Sequence, residues 1–137
     1  VVIVEGYTDV MACHLAGFPN AVATCGTAFG EDHIKLINRL FGTSEEPASV
    51  VFTFDPDAAG EKAALRVYGD TSKFNALTFV ASGPEGLDPS DLRQQRGDGA
   101  IEQMLADAAA QTQASDHPVL LSFPEAQYLK GLVCRVS

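Results

Sequence analysis

The chain has 137 residues, of which 46% are hydrophobic and 20% charged. That suits one globular domain with a real core and excludes a disordered tail. The net charge of −9 excludes a surface that grips nucleic acid unaided, because phosphate affinity comes from Lys and Arg. Either bound cations titrate part of that charge, or a basic partner domain supplies the grip. The three cysteines, Cys13, Cys25 and Cys134, are odd in number, sparse and without metal-ligand spacing. A reducing, cytoplasmic location is expected. No stretch has the length and apolarity of a membrane span. Val1 falls inside the first predicted strand with no initiating Met, so an excised domain of a longer protein is expected.

Residues 1–4 predict a short, fully buried strand. Thr8 or Asp9 is placed to cap a helix running to Ala16, which Gly17 and Pro19 stop. Ala21 to Thr24 predicts a second strand, and Cys25-Gly26-Thr27 the turn after it. Glu31 to Phe41 is an amphipathic helix with Ile34, Ile37 and Phe41 on one face and acids in its first turn. Val50 to Phe54 predicts the third strand, Ala58 to Tyr68 a helix, and Ala76 to Val80 the fourth strand. Pro89 to Gln95 reads as a short helix and Ala100 to Ala110 as a longer one. Gln111 to His117 reads as a polar linker; Val119 to Phe123 and Leu129 to Val136 fit no single period. Strands alternating with helices imply an α/β fold with a mainly parallel four-stranded sheet flanked by helices. The expected organisation is a core over residues 1–110 and a C-terminal extension over 111–137.

Acidic residues recur where this pattern turns. Glu5 follows the first strand, Asp55-Pro56-Asp57 follows the third, and Asp88 and Asp91 follow the fourth strand's loop. Parallel strands send their carboxyl ends to one edge, where open α/β folds bind ligands. Carboxylates gathered there repel one another unless cations sit between them. Hard divalent cations with open positions for phosphate oxygens fit that need. In extended backbone, residues i and i+2 point to the same side, so Asp55 and Asp57 address one ion or an adjacent pair. Asp57 alone also reads as a helix cap, which leaves Asp55 unexplained. Glu5 reads as a metal ligand, a general acid or base, or a solvated loop charge. Asp9 reads as a first-turn helical acid, Asp88 as an N-cap before Pro89, and Gly26-Thr27 as an ordinary turn that is also able to approach phosphate. Arg93 and Arg96 read as a solvated helix face. His14, His33 and His117 lack ligand spacing. No P-loop, nucleophile elbow or dinucleotide fingerprint is present.

The ordered set Glu5-Gly6-Tyr7-Thr8-Asp9-Val10, Gly26-Thr27, Asp55-Pro56-Asp57-Ala58-Ala59-Gly60 and Asp88-Pro89 resembles a TOPRIM domain. Within that superfamily it is most similar to bacterial DnaG-type DNA primases, over about the first hundred residues. The resemblance implies a Rossmann-like TOPRIM fold and the catalytic core of an enzyme that makes short RNA primers on single-stranded DNA. It implies Mg²⁺ or Mn²⁺ held by Glu5, Asp55, Asp57 and Asp88, with Glu5, Asp9, Asp55 and Asp57 as the catalytic acids. The matching Gly-Thr turn makes Gly26 and Thr27 candidates for cofactor binding. Implied partners are a single-stranded template and nucleoside triphosphates, reached with flanking domains, and a replicative helicase in the full-length protein. The family's Asp-Pro-Asp reads Asp88-Pro89-Ser90 here, with Asp91 one place later, which puts a third metal position in doubt. Two other readings compete: a small metal-dependent TOPRIM nuclease cleaving phosphodiesters, and a non-enzymatic TOPRIM module.

Overall fold

The computed structural model describes residues 1–41, 48–54, 67 and 71–113. In chain order the elements are β1 (Val2–Val4), α1 (Tyr7–Leu15), β2 (Ala21–Ala23), α2 (Glu31–Phe41), β3 (Ala48–Thr53), β4 (Ala76–Ala81), α3 (Pro89–Arg96) and α4 (Asp98–Gln113). Two 3-10 turns, Thr71–Lys73 and Pro84–Gly86, lie before and after β4. The strands form one sheet in the order β2-β1-β3-β4, and every pairing is parallel. The α/β class and the four parallel strands are those the sequence predicts.

Successive strand residues alternate between two cores. Val2, Val4, Val51, Phe79 and Ala81 pack against Cys13 of α1, Leu92 of α3 and Ile101, Met104 and Leu105 of α4. Ile3, Val50 and Phe52 pack on the other side against Ile34 and Ile37 of α2 and Phe74. Phe52 meets Phe29 edge-on at 4.9 Å between ring centroids and Phe74 at 5.9 Å. A sheet covered on both faces explains why its strands read as unbroken apolar runs. Each such side chain contributes about 1.5–3 kcal/mol through burial.

The boundaries shift in four places. First, α1 starts at Tyr7, and its N-cap is Gly6 in extended backbone rather than Thr8 or Asp9. Asp9 occupies the third helical position and reaches back to the cap. Second, β3 begins two residues before Val50, paired to β4 from Ala48 onward. Third, α3 runs through Arg96, one residue past Gln95, before Gly97 takes φ 83°. Fourth, α4 begins at Asp98 and continues to Gln113, so the expected linker does not start at Gln111. Gln and Thr are tolerated in a helix, and no Pro or Gly occurs between Ala100 and Gln113 to stop it. Of the predicted helix Ala58 to Tyr68, only Val67 is described, and it is helical and buried. Residues 114–137, with Val119 to Phe123 and Leu129 to Val136, lie outside the described residues.

Leu92 joins α3 to the sheet and is 0% exposed. Leu92→Ala is expected to lower unfolding free energy by about 2–5 kcal/mol. Urea denaturation followed by circular dichroism measures this, and a loss below 1 kcal/mol would show that α3 contributes little to the core.

Candidate functional site

The sheet order creates a switch point. From β1 the chain passes to β2 on one side and then to β3 on the other. Ligands of open α/β folds bind at the carboxyl edge beside such a reversal. Val2 pairs with Val51 and Ile3 with Phe52. Continuing that register places Glu5 level with Phe54, whose next residue in the sequence is Asp55. Thr53 pairs with Ala81, so β4 ends at the same height.

Three acids from two distant stretches of sequence come near one another at this edge. Glu5 leaves β1 half-buried. Asp9 is 5% exposed, and its Oδ2 accepts the Gly6 N–H at 3.1 Å while its Oδ1 accepts the Ser90 N–H at 3.2 Å. Asp88, half-buried, is the N-cap of α3, and its Oδ1 accepts the Asp91 N–H at 2.7 Å. Burial pushes the Asp9 carboxyl above its ordinary range. The Ser90 and Gly6 N–H groups oppose that rise, and the charges of Asp88 and Glu5 add to it. Both acids thus lie close enough to repel Asp9.

The β2 exit forms a tight turn. Cys25 has φ 53° and Gly26 φ 79°, and the Thr27 N–H bonds the Thr24 carbonyl at 3.2 Å. Two successive positive φ values with that bond make a type I′ turn. Gly26 suits it because a glycine adopts positive φ without a Cβ penalty. The Thr27 hydroxyl donates to the Thr24 carbonyl at 2.7 Å, so its oxygen faces a ligand only as an acceptor. Tyr7 is 73% exposed and was not singled out by sequence reasoning. Its hydroxyl is held above the ordinary phenol range by a hydrogen bond and charge interaction with Cys25. The pair joins the start of α1 to the β2 turn. No spacing rule links positions 7 and 25; only the β1–β2 pairing brings them together.

The structure thus brings Glu5, Asp9 and Asp88 near one edge and puts Gly26 and Thr27 in the turn after β2. Asp55 and Asp57 lie outside the described residues. Arg93 and Arg96 are not free phosphate ligands: Arg93 contacts Asp98 at 2.7 Å and Arg96 contacts Glu85 at 3.0 Å. His14 meets the Ala21 carbonyl at 3.0 Å, and the His33 ring accepts the Gly30 N–H at 3.1 Å. Both histidines are used locally.

Glu5 and Asp88 offer hard carboxylate oxygens, which suit Mg²⁺ or Mn²⁺ in kind. Among the described residues, no three His, Cys, Asp or Glu side chains are grouped to hold an ion.

Comparison with known proteins gives a consistent result. The Toprim domain family matches residues 1–81. The DNA primase of Streptomyces coelicolor is 59% identical over 104 residues, covering 76% of this chain and 16% of that protein. The chain therefore spans a small part of the curated relatives it matches. The RNA polymerase domain of Mycobacterium tuberculosis primase DnaG aligns with TM-score 0.68 and 33% identity, covering 99% of this chain and 50% of that one. The same domain in complex with double-stranded DNA aligns with TM-score 0.67 and 46% identity, covering 77% and 33% of the two chains.

The two described thiols differ in a way that labelling can read. Burial pushes Cys13 to about 12, whereas Cys25 is exposed beside Tyr7. At pH 8 a thiol at that value is about one ten-thousandth thiolate. Iodoacetamide is expected to modify Cys25 and leave Cys13 at under about a tenth of that extent, read by peptide mass spectrometry. Equal labelling in the folded protein would place Cys13 outside the core.

Proposed function

The chain belongs to the Toprim domain family, and on that premise we propose that it is the metal-binding catalytic core of a DNA primase. The reading is nucleotidyl transfer that builds short RNA primers on a single-stranded DNA template. One observation supports it: the buried Asp9 carboxylate, four residues after Glu5, bonds the start of α3 beside Asp88, and the charges of Glu5 and Asp88 both bear on it, near the carboxyl edge beside the β1/β3 reversal. Like charges gathered at that place call for a cation. The primase relatives and the DNA complex of a structural neighbour support the same substrate class.

In this reading Glu5, Asp55, Asp57 and Asp88 hold Mg²⁺ or Mn²⁺. When bound, such ions neutralise phosphate charge and favour the attack of a primer 3′ hydroxyl on the α-phosphate, with pyrophosphate leaving. The chain's own contribution is to hold carboxylates at fixed heights along the sheet edge. Glu5 and Asp88 do so from the end of β1 and the cap of α3. The Thr24–Thr27 turn borders the nucleotide side, with Gly26 allowing close approach and Thr27 offering an acceptor oxygen. In this reading residues 1–110 are the Toprim catalytic core and residues 111–137 a C-terminal extension. Template and nucleoside triphosphates are held together with flanking domains, since the −9 charge gives this chain little grip on phosphate. In the full-length protein a replicative helicase delivers the template. The protein works in the cytoplasm, and no described helix is long and apolar enough to cross a membrane.

The test is Asp55→Ala. Isothermal titration is expected to show loss of Mn²⁺ uptake, and primer synthesis by the full-length protein is expected to fall by about a hundredfold or more. In metal-free buffer the melting temperature is expected to hold or rise, because one repelling charge is gone. A lower melting temperature without metal would make Asp55 a structural residue. Metal-dependent cleavage of labelled DNA, abolished in Asp57→Asn, would point instead to a nuclease.

A further inference from the structure

Asp9 matches a family acidic position, yet the structure gives it different work from Glu5 and Asp88. It is 5% exposed, and each carboxylate oxygen already accepts a backbone N–H. The Gly6 bond is local, closing the turn into α1. The Ser90 bond spans 81 residues and reaches the first turn of α3. The first N–H groups of a helix have no partner inside it. Asp88 satisfies one of them, that of Asp91, and Asp9 satisfies that of Ser90. A Cβ added to Gly6 would stand 3.3 Å from Asp9 Oδ2, so glycine leaves room for the carboxylate to close on its own cap. The α1 and α3 helices are in direct contact, and Asp9 stands at the amino end of both.

We propose that Asp9 is a positioning residue that ties the Glu5–Gly6 turn to the start of α3 and so sets where Asp88 stands relative to Glu5. This rests on the metal-site reading above, which does not count Asp9 among the ligands, and gives it a role: Asp9 acts through Asp88 rather than on the ion. The carboxylate is specific for the task. It offers two acceptors to two donors, whereas an Asn amide turns its own N–H toward one of them.

Two measurements test the tie. In the wild-type chain, residue-resolved hydrogen exchange is expected to find the Ser90 amide slowed about tenfold or more against a free first-turn amide. An unprotected Ser90 amide overturns the proposal without any variant. Asp9→Asn is then expected to remove that protection and to weaken Mn²⁺ binding about tenfold. In an Asp88→Asn background the same change is expected to alter the residual Mn²⁺ affinity by less than about twofold. An equal loss in both backgrounds overturns the proposal, because Asp9 would then act on the ion itself. If the wild-type chain takes up no Mn²⁺, the metal-site reading fails. Ser90 protection, and its loss in Asp9→Asn, still decides whether the tie exists.

Discussion

The position of β1 constrains everything else. Its three residues are buried on both faces, and it pairs with β2 on one side and β3 on the other. Such a strand has no room for a charge, so the first charge that follows it must emerge at the sheet's carboxyl edge. That charge is Glu5. The strand order then fixes its neighbours: the β2 turn on one side and the end of β3 on the other. The chain reverses direction of travel across the sheet between β1 and β3, a switch point of the kind beside which open α/β folds bind ligands. A one-residue slip of β1 would exchange Val2 and Val4 with Ile3 between the two cores and carry Glu5 away from the edge.

Two of the acids at this edge, Asp9 and Asp88, are held by backbone donors. Asp9 and Asp88 lie in the first turn or cap of α1 and α3, where the helix dipole favours negative charge. The N–H groups of Gly6, Ser90 and Asp91 supply the bonds. Arg93 and Arg96 are engaged by Asp98 and Glu85. The difference matters for chemistry. A Lys or Arg placed among the carboxylates would neutralise them and compete with a cation. Helix ends steady Asp9 and Asp88 through backbone N–H groups and partial charges.

Much of this was legible in the sequence because burial on two faces writes an unmistakable signal. Val1 to Val4 and Val50 to Phe54 are apolar without alternation, as two-sided strands require. Glu5 stood out as a charge set directly after such a run, and Asp88 as a cap before Pro89. Helix ends were harder. Gly6 replaced Thr8 as the α1 cap because Asp9 closes the turn from within the helix, a contact no cap preference encodes. The far end of α4 ran past its expected stop because no breaker interrupts it. The Tyr7–Cys25 pair and the Asp9–Ser90 bond were illegible because each depends on tertiary placement across many residues. The Asp55-Pro56-Asp57 stretch lies outside the described residues, so its reading as a metal-ligand pair rests on its position in the sequence after β3 and on family likeness.

Ser90 shows how a motif can lose a charge and keep a function. Where the resembling family carries Asp-Pro-Asp, this chain reads Asp88-Pro89-Ser90. The side chain at position 90 no longer brings a carboxylate; its hydroxyl accepts a bond from Gln94 at 3.3 Å. The backbone N–H of the same residue still meets Asp9, and an N–H does not depend on side-chain identity. Asp91 does not replace the missing acid, because its N–H is taken by Asp88 and its side chain is exposed on the helix. Position 90 therefore serves the architecture through its main chain while withdrawing from the charge cluster. The remaining acids carry less mutual repulsion than a full family set.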